Sequence, residues 1–213
     1  MPFSTIFFDL DDTLYPASSG VWKLIKERMN QYMHEQLGID WEVIPTLREE
    51  LFREYGTTLR GLQAHYPLNT DEYLAFVHDI SLKEYLQPDE SLHNMLESLP
   101  FRKLIFTNAD STHAQRVLAA LGLETCFDAI VDIKAVDPYC KPMKEAFKIA
   151  LELAGEHVPQ QCILVDDLPV NTRAAREYGL FTILFGYEGK HPDAEATLNR
   201  LIDLPGLIQQ IKN

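Results

Sequence analysis

The chain has 213 residues and a formal net charge of −13. That length buries one good core, or a core with a small second module, and the acidic excess argues against a nucleic-acid backbone or an anionic membrane as partner. Its three cysteines, Cys126, Cys140 and Cys162, form no CxxC pair, which argues against a disulfide framework and for a reducing, cytoplasmic setting.

The N-terminal run MPFSTIFFDLDD lacks a basic region and a long apolar stretch, so no signal peptide is expected. Its Thr5 to Phe8 segment reads as a short buried strand. Asp9, Asp11 and Asp12 follow within four residues, with Thr13 after them. Ligand sites in open α/β sheets lie at the carboxyl ends of strands. Two like charges 4 Å apart cost about 4 kcal/mol in a protein-like dielectric. A cation is therefore expected among these acids, and Mg²⁺ suits hard oxygen ligands.

From about Ser18 to Leu86 no strand pattern occurs. Val21, Leu24, Ile25, Met29, Tyr32, Met33 and Leu37 make one apolar helical stripe. Residues 42–55 and 70–78 also read as helices. An all-helical insertion directly after the acidic loop would overhang the strand ends, where a lid belongs.

Beyond it, Lys103 to Phe106, Cys162 to Val165 and Thr182 to Phe185 read as buried strands, with Ala129 to Ile133 a weaker fifth. Helical patterns alternate with them: Ala114, Val117, Leu118 and Leu121; then Ala146, Phe147, Ala150, Leu151 and Ala154; then Ala174, Ala175 and Tyr178. This alternation predicts an α/β fold with a doubly wound parallel sheet. Residues 1–16 and 88–213 are assigned to its core domain, and residues 17–87 to a helical cap.

Polar residues follow the strands: Thr107-Asn108, Lys141-Pro142 in a later loop, and Asp166-Asp167. Acids to hold a metal, a lysine, a hydroxyl and an amide are the parts needed to hold and attack a phosphate. Each has a plainer reading. Asp12 caps a turn or pairs with a lysine, and Thr13 bonds within its loop. Asp166-Asp167 could cap a helix, and Thr107-Asn108 could open a loop in which Asp110 or Ser111 caps the next helix. His78 and His113 read as surface or satisfied polar residues, and Cys140 as a plain thiol near the site. Arg60 is either a solvated helix arginine or a substrate contact, since its fork matches phosphate and base edges. Trp22, Tyr55 and Tyr66 either stack on a base or pack in a core.

Taken in order, these segments resemble the haloacid dehalogenase (HAD) superfamily: DxDxT, a hydroxyl residue after a strand, a lysine, then paired acids. The insertion resembles the helical type-one cap of that superfamily. FFDLDDTLYP, EYGTTLRGL and IFTNAD followed by HAQRVLAALGL resemble its pyrimidine 5′-nucleotidase branch. The resemblance implies a Mg²⁺-dependent phosphomonoester hydrolase, with Asp9 as nucleophile and Asp11 as general acid and base, its pKa raised for the purpose. It also implies Mg²⁺ held by Asp9, the Asp11 carbonyl and Asp167, with Asp166 binding directly or through water. Thr107, Asn108 and Lys141 would hold the phosphate. Where many relatives carry a further acid this chain has Asn171.

The expected substrate is a small phosphorylated metabolite, a pyrimidine nucleoside monophosphate such as UMP or CMP. A phosphatase of phosphoglycolate, a sugar phosphate or phosphoserine, a phosphomutase, and a non-catalytic binding protein on the same fold are the alternatives. A two-component receiver would lack the long insertion. No coiled-coil seam is evident, so a monomer or a homodimer is expected.

Overall fold

The structure, a computed structural model, describes residues 3–212; residues 1, 2 and 213 of the expected core domain lie outside them. Six strands form one parallel sheet: β1 (Thr5–Phe8), β2 (Arg102–Phe106), β3 (Ala129–Val131), β4 (Cys162–Asp166), β5 (Phe181–Phe185) and β6 (Ala196–Leu198). Their spatial order is β3-β2-β1-β4-β5-β6. The chain starts at the centre, winds to one edge, then returns and winds to the other. The point of reversal lies between β1 and β4, where a doubly wound sheet opens a crevice at its carboxyl end.

Alternation along β1 builds both faces. Ile6 and Phe8 pack into one core with α5 (Glu90–Ser98), α6 (Ser111–Leu121) and α9 (Leu204–Lys212). Phe7 packs into the other with α7 (Lys144–Ala154) and α8 (Pro169–Tyr178). A sheet covered on both faces has strands that read as continuous apolar runs, which is why four of them are visible in the sequence. β6 was not expected. It is a three-residue edge strand, Ala196-Thr197-Leu198, with no apolar run to mark it.

Between β1 and α5 lie α1 (Val21–Glu35), α2 (Ile44–Tyr55), α3 (Thr58–His65) and α4 (Thr70–Val77), with no strand. Tyr32, Met33, Ile44, Leu51, Leu59, Leu62, Tyr73 and Val77 form a third cluster among these helices. The α1 stripe serves two cores: Val21 and Ile25 join the sheet core, whereas Tyr32 and Met33 join the helical one. The same helix thus ties the insertion to the sheet. No described helix is long and apolar enough to cross a membrane.

Candidate active site

Register decides which polar residues meet. Phe8 pairs with Val165 across β1 and β4, and Asp9 N donates to Val165 O at 2.9 Å. Asp9 and Asp166 therefore leave the sheet side by side. On the other flank Phe8 pairs with Ile105, which brings Thr107 to the same mouth one residue beyond the end of β2.

Lys141 reaches this mouth from a loop. Its backbone N donates to Asn108 Oδ1 at 2.9 Å, and Asn108 Nδ2 returns a bond to Lys141 O at 2.9 Å. Lys141 Nζ then donates to Asp9 Oδ1 at 2.7 Å and Asp166 Oδ2 at 2.6 Å. The ammonium is only 1% exposed. Burial alone would deprotonate it, but Asp166 and Asp9 more than offset that and hold its pKa above the ordinary lysine value. The Asn108 side chain thus positions Lys141, and Asn108 also lines the cavity.

One ammonium faces several acids. Carboxylate oxygens of Asp9, Asp166 and Asp167 all lie within 4.8 Å of one another. Burial, together with Asp166 and Asp11, pushes the Asp9 pKa up to about 7 against the pull of Lys141. Asp167 is pushed up to about 8 by burial, Asp9 and Asp166. Among the described residues its carboxylate has no hydrogen bond or ion pair. Asp166 is different: it is fully buried and accepts from Lys141, Leu168 N and both-sided contact by Asn171 Nδ2 at 2.9 and 3.1 Å. Oxygen donors in excess of their cations fit a hard divalent ion. Asp9, Asp166 and Asp167 offer it carboxylate oxygens; Asp167 has no competing partner among the described residues, and Asp166 is held by Lys141 and Asn171.

Asp11 departs from expectation. Burial favours its protonated form, but His113 and Tyr15 overcome this and lower its pKa. His113 Nε2 lies 2.9 Å from Asp11 Oδ1, and Tyr15 donates its hydroxyl to the same oxygen at 2.5 Å. Asp11 Oδ2 has no hydrogen bond among the described residues. His113 is fully buried, and so is His78, on which it stacks at 4.1 Å with planes 18° apart. His78 Nδ1 lies 2.6 Å from Asp110 Oδ2, and Asp110 also caps α6 by accepting from His113 N. Neither histidine is a surface residue. Sequence spacing offered one signal for His113: it stands in the first turn of the helix that follows the second polar strand end.

Arg60 is also corrected. Its guanidinium is buried away from the mouth, donating to Tyr139 O, Ile133 O, Gln63 Oε1 and Asp137 Oδ1. It clamps α3 onto the 133–139 loop. Beside it Gly56 has φ +81°, and a Cβ there would lie 3.0 Å from Lys141 O and from Cys140 Sγ. The EYGTTLRGL segment is thus a close-packed joint between the insertion and the lysine loop. Cys140 is a buried thiol that donates to Tyr55 O, as its plain reading had it. Thr13 Oγ1 bonds Asp9 Oδ2 at 3.3 Å, within its loop.

The mouth opens into a cavity of about 430 Å³ between sheet and insertion. Asp9, Asp11, Asp12, Thr107, Asn108, Lys141 and Asp167 line it from the sheet, and Trp22, Lys26, Met29, Arg48, Phe52, Leu59 and Tyr73 from the insertion. Tyr55 and Tyr66 are absent from this lining; they pack against the insertion's own core.

Residues 3–179 match the family model described as haloacid dehalogenase-like hydrolase. The chain belongs to that family. Its site is therefore that of a HAD-like hydrolase. Among curated proteins it is 29% identical over 203 residues to Phosphate metabolism protein 8 of Saccharomyces cerevisiae, covering 89% of this chain and 63% of that one. The chain thus spans less than two thirds of the yeast protein. It is 23% identical over 225 residues to Glyceraldehyde 3-phosphate phosphatase of Methanocaldococcus jannaschii, covering 97% of each. Among solved structures, YfnB of Bacillus subtilis, bound to magnesium, superposes with a TM-score of 0.62 at 18% identity, over 98% of this chain and 99% of that one. That likeness shows the shared fold.

Proposed function

We propose that this HAD-like hydrolase is a Mg²⁺-dependent phosphomonoesterase that works through a phosphoryl group on Asp9. One observation carries the reading: a buried lysine bridges Asp9 and Asp166, while Asp167 and Asp9 remain raised and undercompensated in the lining of the cavity. The phosphatase name of the archaeal relative supports the same chemistry.

Asp9 and Asp167, with the Asp11 backbone carbonyl, would hold the ion; when bound it supplies Lewis-acid stabilisation of the phosphoryl oxygens. The remaining work falls to side chains. An Asp9 oxygen attacks phosphorus, and the bond to the leaving oxygen breaks. Asp11, entering the step protonated on the oxygen that His113 and Tyr15 do not hold, gives that proton to the leaving oxygen and becomes the carboxylate. Water then attacks the acyl phosphate, Asp11 as carboxylate takes its proton, and phosphate and Asp9 are released. The lowered pKa of Asp11 favours that second role. Lys141 neutralises the transferred group, and Thr107 and the backbone N–H of Asn108 face its oxygens.

The substrate in this reading is a pyrimidine nucleoside 5′-monophosphate. An apolar chamber walled by Trp22, Met29, Phe52 and Leu59 suits a flat base better than a bare sugar or glycolate. The insertion acts as the lid that excludes water. A screen of phosphate release over nucleoside monophosphates, phosphoglycolate, sugar phosphates and phosphoserine tests it. The reading requires UMP or CMP to lead in kcat/KM and EDTA to silence turnover; preference for another ester class overturns the substrate, and turnover in EDTA overturns the metal.

A further inference from the structure

We infer that Tyr73 and Arg48 form a recognition site for the distal end of the leaving group, reading a keto oxygen of the base; this rests on the nucleotide reading above. Tyr73, on α4, lines the cavity, is 1% exposed, and its hydroxyl has no hydrogen-bond partner among the described residues. Buried polar groups in folded proteins are nearly always paired, and Tyr73, a residue of the cavity lining, keeps a hydroxyl that is not. Its position is fixed, because the ring packs edge-on against Tyr32 at 5.0 Å.

Arg48 is its neighbour on the same wall. Its Nη1 donates to Lys26 O at 3.3 Å and Asn30 Oδ1 at 3.1 Å, which orients the guanidinium. No carboxylate forms an ion pair with it among the described residues, although it is half-buried and lines the cavity. Arginine can only donate hydrogen bonds. A phenol and a guanidinium converging on one chamber therefore select an acceptor oxygen. Trp22, Met29 and Phe52 line the same cavity with apolar surface on which a flat base could lie. Uracil and cytosine carry such an oxygen; adenine carries none. Sites built to pair a polar group discriminate strongly against analogues lacking it.

The test compares kcat/KM for UMP, CMP, AMP and ribose 5-phosphate in the Mg²⁺-loaded wild type, Tyr73→Phe and Arg48→Gln. The expected result is a wild-type preference for UMP and CMP over AMP that falls about tenfold in Tyr73→Phe, with Arg48→Gln moving the same ratio in the same direction. An unaltered UMP:AMP ratio in Tyr73→Phe overturns the assignment. The free protein's unfolding temperature is a second readout. Removing an unpaired hydroxyl leaves it at or above the wild-type value, whereas a fall would reveal a structural partner and also overturn the assignment. If no nucleotide exceeds ribose 5-phosphate in the wild type, the nucleotide reading has failed separately. Phosphoglycolate against ethyl phosphate then supplies the pair with and without a distal acceptor, and a ratio unmoved by Tyr73→Phe there too ends the proposal.

Discussion

His113 Nε2 and Tyr15 Oη meet the same oxygen of Asp11, at 2.9 and 2.5 Å, and leave the other oxygen without a hydrogen bond among the described residues. Two donors on one side of a carboxylate fix its rotamer and aim the free oxygen. His113→Phe should therefore lower kcat by roughly 10- to 100-fold with little change in KM, because it disturbs a proton-carrying group and not ground-state binding. Steady-state kinetics decides it; an equal rise in KM would make His113 a binding residue.

Lys141 is buried between two acids that it alone neutralises among the described side chains. Breaking a buried pair by removing one partner costs about 3–5 kcal/mol. Lys141→Ala should show that loss in urea unfolding of the metal-free protein, and added Mg²⁺ should recover part of it. A loss near zero would contradict the buried ion pairs of Lys141.

Arg60→Ala should destabilise the protein by about 3 kcal/mol, since three backbone bonds and two side-chain bonds are lost from a buried guanidinium. Turnover of a nucleotide and of an aryl phosphate should fall together. A selective loss on the nucleotide would restore Arg60 to the substrate.

Metal-free stability should fall between pH 6.5 and 8. Asp9 and Asp167 have folded pKa values of about 7 and 8, above the ordinary aspartate value of 3.8. Across that window the native state holds more protons than the unfolded one, so raising the pH removes stability. His78, whose pKa is lowered mainly by burial, acts with the opposite sign, but only below its ordinary value of 6.5. The stabilisation gained from Mg²⁺ should grow over the same range. Unfolding temperatures in EDTA and in Mg²⁺ would check both; stability in EDTA that rises from pH 6.5 to 8 would contradict the charge balance.

The sheet was legible because it is buried on both faces, so Ile6-Phe7-Phe8 and Ile163-Leu164-Val165 are unbroken apolar runs ending in acids. β6, at the edge and only three residues long, carried no such pattern. Asp9, Asp11 and Asp167 were legible because carboxylates after a buried strand have no packing use, whereas Lys141 stood out only by its place in the order of the segments. The partners of those residues were not. His113 and Tyr15 acquire their roles from where α6 and the 9–15 loop cross, and Asn108 from a reciprocal bond to a residue 33 positions away. Arg60 misled for a related reason: an arginine on a short helix looks solvated or functional until two carbonyls and two side chains are found around it.

The central claim is that Asp9 carries the phosphoryl group. Asp11→Asn incubated with Mg²⁺ and an aryl phosphate, whose leaving group needs no proton, should be acid-quenched and mapped by peptide mass spectrometry. The account predicts one added phosphoryl group, on the peptide containing Asp9, absent in EDTA and absent when Asp9 is also replaced by Asn. Phosphate release by the wild type that survives Asp9→Asn, or a label carried by any other residue, would contradict it.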